Sequence, residues 1–490
     1  VKRCAALLAL ALAAQAVAQD AAPPAPAASP SASPEAAERA EKRDRRARLA
    51  NLAGRDAAVL VLAADDSPGF TGATQNRDFE YLSPFDARGA AVLVTLDPGA
   101  DAAAEPRVSD RLYLRPRNAA NERWTGAVAG PGDATKEAGL LAAAPPVERL
   151  VADLVEALKT RKTLFVSAGG PADRGRLLAP LVAALRTKLA GKWVRLVDAP
   201  GASPDDLAES IRRALPDNLP RDKSPADVVA ALPSVDVRSV GKLTAELREV
   251  KSADEIARIR AAVDATVPGI ADAMRAARPG LLEMQLAGVV ELRCRLGGCA
   301  RQAYGSIVGA GPNSCVLHYM DNTRALADGD LVVMDIGGEY RGYASDITRT
   351  FPANGKFTEE QARVYDAVLA AQEAGIAAVR PGVTMAQVHA AATAVLKERG
   401  LIEHTLHATS HSVGLDVHDP FRGDAPLRAG SVLTVEPGVY IAEKALGVRI
   451  EDTVLVTETG CEVLSGALPK TREAIEKLMA EDPPFPVEPR

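Results

Sequence analysis

Leu331-Val-Val-Met-Asp335-Ile-Gly-Gly-Glu-Tyr340-Arg-Gly-Tyr-Ala-Ser-Asp346-Ile-Thr-Arg-Thr-Phe-Pro352 reads as two strands joined by a tight turn. A turn at Tyr340-Arg341, flanked by Gly337, Gly338 and Gly342, pairs residue 335 with residue 346 and points both side chains to one face. Asp335 and Asp346 then lie opposite each other among apolar strand residues. Like charges placed directly across a ladder destabilise it, and burying them unpaired costs more still. The hairpin therefore calls for a compensating cation, and carboxylate oxygens of this kind suit a divalent metal.

Further potential ligands follow downstream. His407-Ala-Thr-Ser-His411-Ser-Val-Gly-Leu-Asp-Val-His418-Asp, Val432-Leu-Thr-Val-Glu436-Pro-Gly and Gly447-Val-Arg449-Ile-Glu451-Asp each deliver ionisable groups from short apolar stretches. Of the six histidines in the chain, three fall in the first of these, and His318 lies just upstream of the hairpin in Leu317-His-Tyr-Met-Asp-Asn322. Arg449 and Glu451, two apart in a strand, share a face. A guanidinium beside acids helps keep them ionised. His389 and His404 receive no role.

This ordered set resembles the pita-bread metallopeptidases, in the branch of the Xaa-Pro aminopeptidases (aminopeptidase P) and prolidases. The resemblance is carried by Leu-His-Tyr-x-x-Asn, Asp-x-Gly-x-Glu-Tyr-x-Gly-Tyr-x-x-Asp-Ile-Thr-Arg-Thr, Ser-His-x-x-Gly-Leu-Asp-Val-His-Asp, Glu-Pro-Gly-x-Tyr and Arg-Ile-Glu-Asp, from His318 to Asp452. It implies a two-metal centre held by Asp335, Asp346, His411, Glu436 and Glu451. Asp346 and Glu451 would bridge the ions, Asp335 would serve one of them, and His411 with Glu436 the other. A metal-bridging hydroxide would attack the scissile carbonyl while His418 and the metals stabilise the oxyanion. Glu436 would act as base and then acid, and His318 would lie near the leaving proline nitrogen. His407 would line the proline pocket, and Arg449 would balance the acids. An oxygen-rich set with one imidazole favours Mn²⁺, with Zn²⁺ or Co²⁺ as alternatives.

Length and charge set outer bounds. The 490 residues suffice for two or three domains, and a net charge of −6 offers no basic footprint for nucleic acid. Val1-Lys-Arg and the short apolar run after it, ending in Ala16-Val-Ala18, match an export signal, so residues 1–18 are expected to be removed in a periplasm-like compartment. No membrane attachment is expected after that cleavage. The Pro/Ala/Ser-rich stretch that follows is expected to make residues 19–50 a disordered linker. Cys294, Cys299, Cys315 and Cys461 remain in the mature chain; Cys294 and Cys299 are near enough to pair across Gly297-Gly298, or to stay as two buried thiols.

Residues 51–240 alternate apolar runs (Ala57–Leu62, Ala90–Leu96, Arg111–Leu114, Thr163–Ser167) with helical patterns such as Val147–Leu158, an α/β domain. Asp78–Leu82 and Arg115-Pro-Arg-Asn resemble the amino-terminal domain of creatinases and aminopeptidases P. No Gly-rich phosphate loop follows any of these strands. Residues 245–482 would form an α+β catalytic domain of the pita-bread type, with 483–490 as a tail. Ser252 and Glu255 make a capping box opening a long helix, in which Pro268 should cause a kink or split. Arg278-Pro-Gly and Arg380-Pro-Gly, each followed at the same offset by Gln, suggest duplicated halves with the site between them.

Within this branch the expected substrate is a proline-containing peptide cleaved at its Xaa-Pro amino terminus. The alternative is an Xaa-Pro dipeptidase (prolidase), for which Arg422 could grasp the free substrate carboxylate. Two readings of other classes are a metal-free creatinase-type hydrolase and a non-catalytic binding protein of the same fold; the intact ligand set argues against both. Relatives of this kind imply a homo-oligomer, a dimer or tetramer.

Overall fold

The computed structural model describes residues 34–64, 75–97, 106–132, 142–144, 146–167, 179–189, 192–197, 234–485 and 487–488. The export signal, the first part of the expected linker and the last two residues lie outside the described residues. In the amino-terminal domain, strands β1 (Ala57–Leu62), β2 (Ala91–Asp97), β3 (Arg107–Tyr113), β4 (Ala142–Ala144), β5 (Thr163–Ser167), β6 (Trp193–Leu196) and β7 (Ser234–Ser239) form one mixed sheet, in the order β4-β3-β2-β1-β5-β7-β6. β1 is apolar throughout because both its faces are covered. Ala58 and Leu60 point toward helices Pro146–Leu158 and Ala179–Lys188, while Val59 and Val61 join the core containing Leu49, Phe79 and Leu82.

Leu49 belongs to an element that the sequence reading missed. Residues 34–50, expected as linker, lie in helix α1 (Pro34–Ala53), which packs on the sheet. Its charged composition hid it: part of its buried face is basic, not apolar. Arg46, 1% exposed, donates from Nε to Asp110 (2.6 Å) and from Nη1 to the Leu82 carbonyl (2.7 Å). Polar groups can be buried when they are paired in this way. Helix α1 and helix α2 (Arg77–Leu82) contact the second domain, Arg45 of α1 lying 3.4 Å from Glu255 and Arg77 Nη2 of α2 donating to Glu339 (2.5 Å), while Tyr81 Oη ties α2 to helix α3 (Gly241–Arg248) through the Leu247 carbonyl (3.1 Å).

The second domain repeats one unit twice. Helices α4 (Ala253–Ala276) and α5 (Glu283–Leu296) precede β8 (Arg301–Gln302), β9 (Ile307–Ala310) and the strands β10 (Leu331–Asp335), β11 (Gly338–Tyr340), β12 (Tyr343–Ala344) and β13 (Thr348–Pro352). Helices α6 (Glu359–Ala378) and α7 (Met385–Glu398) precede β14 (Val432–Val435), β15 (Gly438–Ile441), β16 (Leu446–Arg449), β17 (Asp452–Val456) and β18 (Cys461–Val463), and α8 (Arg472–Met479) closes the domain. In the first half β10 pairs with β13 and β11 with β12; in the second β14 pairs with β17 and β15 with β16. Each half is thus a long antiparallel hairpin, bent once so that its base and tip belong to different sheets.

The Arg-Pro-Gly repeat marks the same joint in both halves. Gly280 N–H donates to the Leu326 carbonyl (2.8 Å), and Leu326 N–H returns a bond to Leu281 (2.8 Å). Gly382 donates to Leu427 (2.9 Å), and Leu427 returns a bond to Val383 (2.8 Å). Gly280 (φ 92°) and Gly382 (φ 86°) both occupy the left-handed region, where a side chain is disfavoured. The capping box at Ser252 forms as expected, but α4 continues through Pro268 without splitting. Half of that helix is buried, and packing of this kind outweighs the lost backbone bond.

Candidate metal centre

The bends of the two hairpins hold the carboxylates. Asp335 ends β10, Asp346 lies between β12 and β13, Glu436 between β14 and β15, and Glu451 between β16 and β17. Where a hairpin bends, its ladder is interrupted and side chains can be turned away from the regular alternation into a shared space. The register differs from the expected one. Tyr340 pairs with Tyr343, so the turn falls at Arg341-Gly342, both with positive φ (48° and 88°), and Asp335 faces Thr348. Positive φ at both central positions is the type I′ arrangement whose twist suits a hairpin. The turn is one residue later than the sequence suggested because Gly342 supplies a position that tolerates such a φ. Asp346 still shares a face with Asp335, being two residues from its partner.

Ligand atoms of Asp346, His411 and Glu451 lie within 4.8 Å of one another. His411 Nε2 is 3.4 Å from both Asp346 Oδ2 and Glu436 Oε1, and its Nδ1 is 3.2 Å from the Ser412 carbonyl. That carbonyl holds a proton on Nδ1 and leaves Nε2 facing the acids, as in a ligating imidazole. Asp335 accepts from Arg449 Nη2 (2.7 Å), Glu451 from Thr348 Oγ1 (2.7 Å) and Glu436 from Thr434 Oγ1 (3.2 Å). Tyr304 Oη lies 2.5 Å from both Asp335 Oδ1 and Asp346 Oδ1, bringing the two carboxylates to one hydroxyl. Tyr304, Thr348, Thr434 and Tyr440 were not assigned roles from sequence. Tyr440 and Thr348 carried a signal, in the Glu-Pro-Gly-x-Tyr and Asp-Ile-Thr-Arg-Thr patterns.

The other predicted residues gather around the same cavity of about 570 Å³, which is lined by the five ligand candidates together with His318, His407, His418 and Arg449. The rings of His411 and His418 stack at 3.9 Å. His407 Nε2 meets Tyr440 Oη at 2.8 Å, and the same hydroxyl accepts from Arg449 Nη1 (2.8 Å). Burial pushes His407 down to about 4, and burial with the nearby His411 lowers His418, so both imidazoles are neutral at neutral pH. His318 sits exposed at the rim. Leu317, Met320 and Val417 add apolar wall.

The charge balance fits cations. Four carboxylates face the cavity, and among its described lining residues Arg449 is the only Lys or Arg. Burial and the charge of Asp335 raise Asp346, and burial with Asp346 and Glu436 raises Glu451 far above the carboxylate range. Burial lifts Glu436 to about 7. Burial opposes charging His411, but the contacts with Asp346 and Glu436 outweigh it and hold the ring at about 9. Protons are thus standing in for positive charge that this donor set is built to receive. The residues fit divalent metal with oxygen and imidazole ligands.

The description "Metallopeptidase family M24" matches residues 257–458, and "Aminopeptidase P, N-terminal domain" matches residues 43–165. The solved structure of Pseudomonas aeruginosa aminopeptidase PepP is 32% identical, with a TM-score of 0.72 over 90% of this chain and 98% of that one. The chain belongs to metallopeptidase family M24. Its fold is that of an aminopeptidase P amino-terminal domain joined to a pita-bread catalytic domain. Aminopeptidase P from Escherichia coli, solved with the inhibitor Pro-Leu, gives a TM-score of 0.71 at 29% identity over 90% of this chain and 98% of that one. In sequence, the Xaa-Pro aminopeptidase of E. coli K12 is 40% identical over 264 residues, 48% of this chain and 60% of that protein. The aligned stretch therefore spans less than two thirds of that relative.

One expectation is corrected and one open alternative is decided at the margins of the site. Arg422 does not reach the cavity: it pairs with buried Glu249, which also holds Arg428 at 3.1 Å. Glu249, at the end of α3, needs both cations because it is wholly buried. Cys294 and Cys299 are both free and buried, beside each other behind β11, so the alternative of two buried thiols is the one adopted. No helix of the described residues is long and apolar enough to cross a membrane.

Proposed function

We propose that the protein is a metal-dependent aminopeptidase that hydrolyses the Xaa-Pro bond at peptide amino termini, using two divalent ions, Mn²⁺ first among the candidates. The observation that carries this reading is the convergence of four bend carboxylates and His411 on one cavity, whose polar wall also includes His318, His407, His418 and Arg449. Asp346 and Glu451 would be shared between the ions, Asp335 would complete one set, and His411 with Glu436 the other. When bound, the ions supply an activated water at neutral pH and polarise the scissile carbonyl.

The chain's own residues do the remaining work. Glu436, on the cavity wall between β14 and β15, takes a proton from water and returns one to the leaving nitrogen. That nitrogen belongs to proline, carries no hydrogen before cleavage and must gain one to leave. His418, stacked on His411, would donate to the developing oxyanion. His407, fixed by Tyr440, lines the side where the proline ring would sit, and His318 at the rim contacts the peptide beyond it. Arg449 orients Asp335.

The aminopeptidase reading is favoured over the dipeptidase by the engagement of Arg422. A dipeptide Xaa-Pro needs a cation for its free carboxylate, and the lining Arg449 is committed to Asp335 and Tyr440. Export, on the strength of residues 1–18, and a homo-oligomeric state are carried as proposals to be tested by cell fractionation and light scattering. The deciding experiment compares Xaa-Pro-Yaa tripeptides with Xaa-Pro dipeptides, using protein supplied with Mn²⁺ and an Asp346→Ala control. Tripeptide cleavage abolished in the variant is expected. Cleavage of dipeptides alone would make the protein a prolidase, and cleavage of neither would overturn the peptidase reading.

A further inference from the structure

Arg248, at the end of α3, is 3% exposed and faces three carboxylates. Its Nη1 donates to Asp78 Oδ1 (3.1 Å) in the amino-terminal domain, and its Nη2 to Asp416 Oδ2 (2.8 Å) and Asp419 Oδ1 (2.5 Å) in the catalytic domain. Lys251 Nζ adds a bond to Asp419 Oδ2 (3.2 Å) and another to Ser412 Oγ (3.3 Å).

Asp416 and Asp419 belong to the loop 412–419, which starts beside the ligand His411 and carries His418. The loop is closed on itself: Asp419 N–H donates to the Ser412 carbonyl (2.9 Å), Asp416 N–H to Asp419 Oδ1 (3.1 Å) and Gly414 N–H to the Asp416 carbonyl (3.0 Å). It is also tied to the metal hairpin, because Ala344 N–H donates to the Gly414 carbonyl (2.8 Å) two residues before Asp346. Space permits little adjustment. A Cβ on Gly414 would meet Asp419 Oδ2 at 2.5 Å. Asp419 is thus held by two cations and two backbone amides, its own N–H bond included, while Arg248 links the loop to Asp78 and Arg77, the neighbour of Asp78 on α2, lies 3.6 Å from Asp416.

We propose that Arg248 is a positioning residue for His418, and that Asp78 makes the amino-terminal domain part of the device that sets the His418 ring against His411. The inference rests on the aminopeptidase reading above. Arg is suited to the role because its planar fork can engage separate carboxylates in fixed directions, which the point charge of Lys cannot. Small displacements of a group that touches the reacting carbonyl are costly, up to about 100-fold for 1 Å.

The test is a double-mutant cycle on the metal-loaded, full-length protein, pairing Asp78→Ala with His418→Ala and assaying an Xaa-Pro-Yaa tripeptide. Asp78→Ala removes the acceptor of Arg248 Nη1 and leaves Arg248 paired with Asp416 and Asp419. The expected result is a fall in kcat of roughly tenfold, with KM and metal content held, and no further fall when the same change is made in the His418→Ala background. A merely structural role would lower both backgrounds equally, and that result, or full activity of the single variant, overturns the proposal. Arg248→Lys is run through the same cycle, so a poorly folded Asp78 variant still leaves a decisive measurement. Inactivity of the unmodified protein on every Xaa-Pro-Yaa peptide would instead count against the peptidase reading itself.

Discussion

Stripping the metal and raising the pH past neutrality tests the electrostatic account of the site. Although burial works against charging it, His411 is held at about 9 in the metal-free fold by Asp346 and Glu436, above its ordinary 6.5. A group whose folded pKa is raised contributes stability that is complete below its unfolded value and lost as pH climbs through the folded one. The His411 contribution is therefore present at pH 6 and disappears between about 6.5 and 9. At about 1.4 kcal/mol per tenfold change in proton affinity, the loss is about 3 kcal/mol. For a domain of this size it corresponds to a fall in Tm of about 6–12 °C. Raised Asp346 and Glu451 act with the same sign.

Below that window two terms oppose each other. Glu436, raised to about 7 by burial, loses stability as pH rises from about 4.5. His407, lowered to about 4 by burial, gains it between about 4 and 6.5. Thermal melts of chelator-treated and Mn²⁺-loaded protein from pH 6 to 9 read the effect. The metal-free Tm should fall across the range while the loaded Tm stays level or rises, because bound cations replace the protons. A metal-free Tm that is flat or rises with pH, or a loaded Tm that falls in parallel, would refute the assignment of these groups as a cation site.

Three further outcomes follow from particular contacts. Tyr304→Phe removes the hydroxyl shared by Asp335 and Asp346 and should weaken metal affinity roughly 10–100-fold, read by metal titration, with the fold retained. Arg349→Met removes one of the two cations on wholly buried Asp452, which keeps Lys470 at 3.0 Å, and should cost about 3 kcal/mol in urea unfolding, the low end for a broken buried pair. Gly337→Ala should lower stability and metal content together, since its Cβ would overlap the Ser345 carbonyl oxygen in the bend beside Asp346.

The candidate site was legible in the sequence because each ligand sits in a short local motif, and the ordered set of motifs resembles a known family; alternation by itself reached only the pairing of Asp335 with Asp346 and of Arg449 with Glu451. The Arg-Pro-Gly repeat was legible for a similar reason, being a joint with its own positive φ. Helix α1 was not: it buries part of its charged face, and that burial is favourable only where Asp110 and the Leu82 carbonyl meet Arg46. The hairpin register turned on one residue, since both Tyr340-Arg341 and Arg341-Gly342 are plausible turn centres locally, and the pairing of β10 with β13 selects the second.

The long-range ionic contacts lay further from sight. Arg422 looked available for substrate, yet Glu249, 173 positions away, takes it up. Tyr304 had no motif to mark it, and its meaning comes from two aspartates 31 and 42 residues on. Arg248 draws Asp78, Asp416 and Asp419 from separate parts of the chain into one buried cluster. By itself the sequence marked which side chains could bind metal, through motifs and the resemblance they carry, and that two similar halves present them, because motifs and turn preference act over a few residues. Which acids share the site, which cations are already committed and how the domains hold the His411–His418 loop were decided only by the tertiary structure. Those are matters of Coulomb energy and desolvation, which depend on distance in space and on burial, not on separation along the chain.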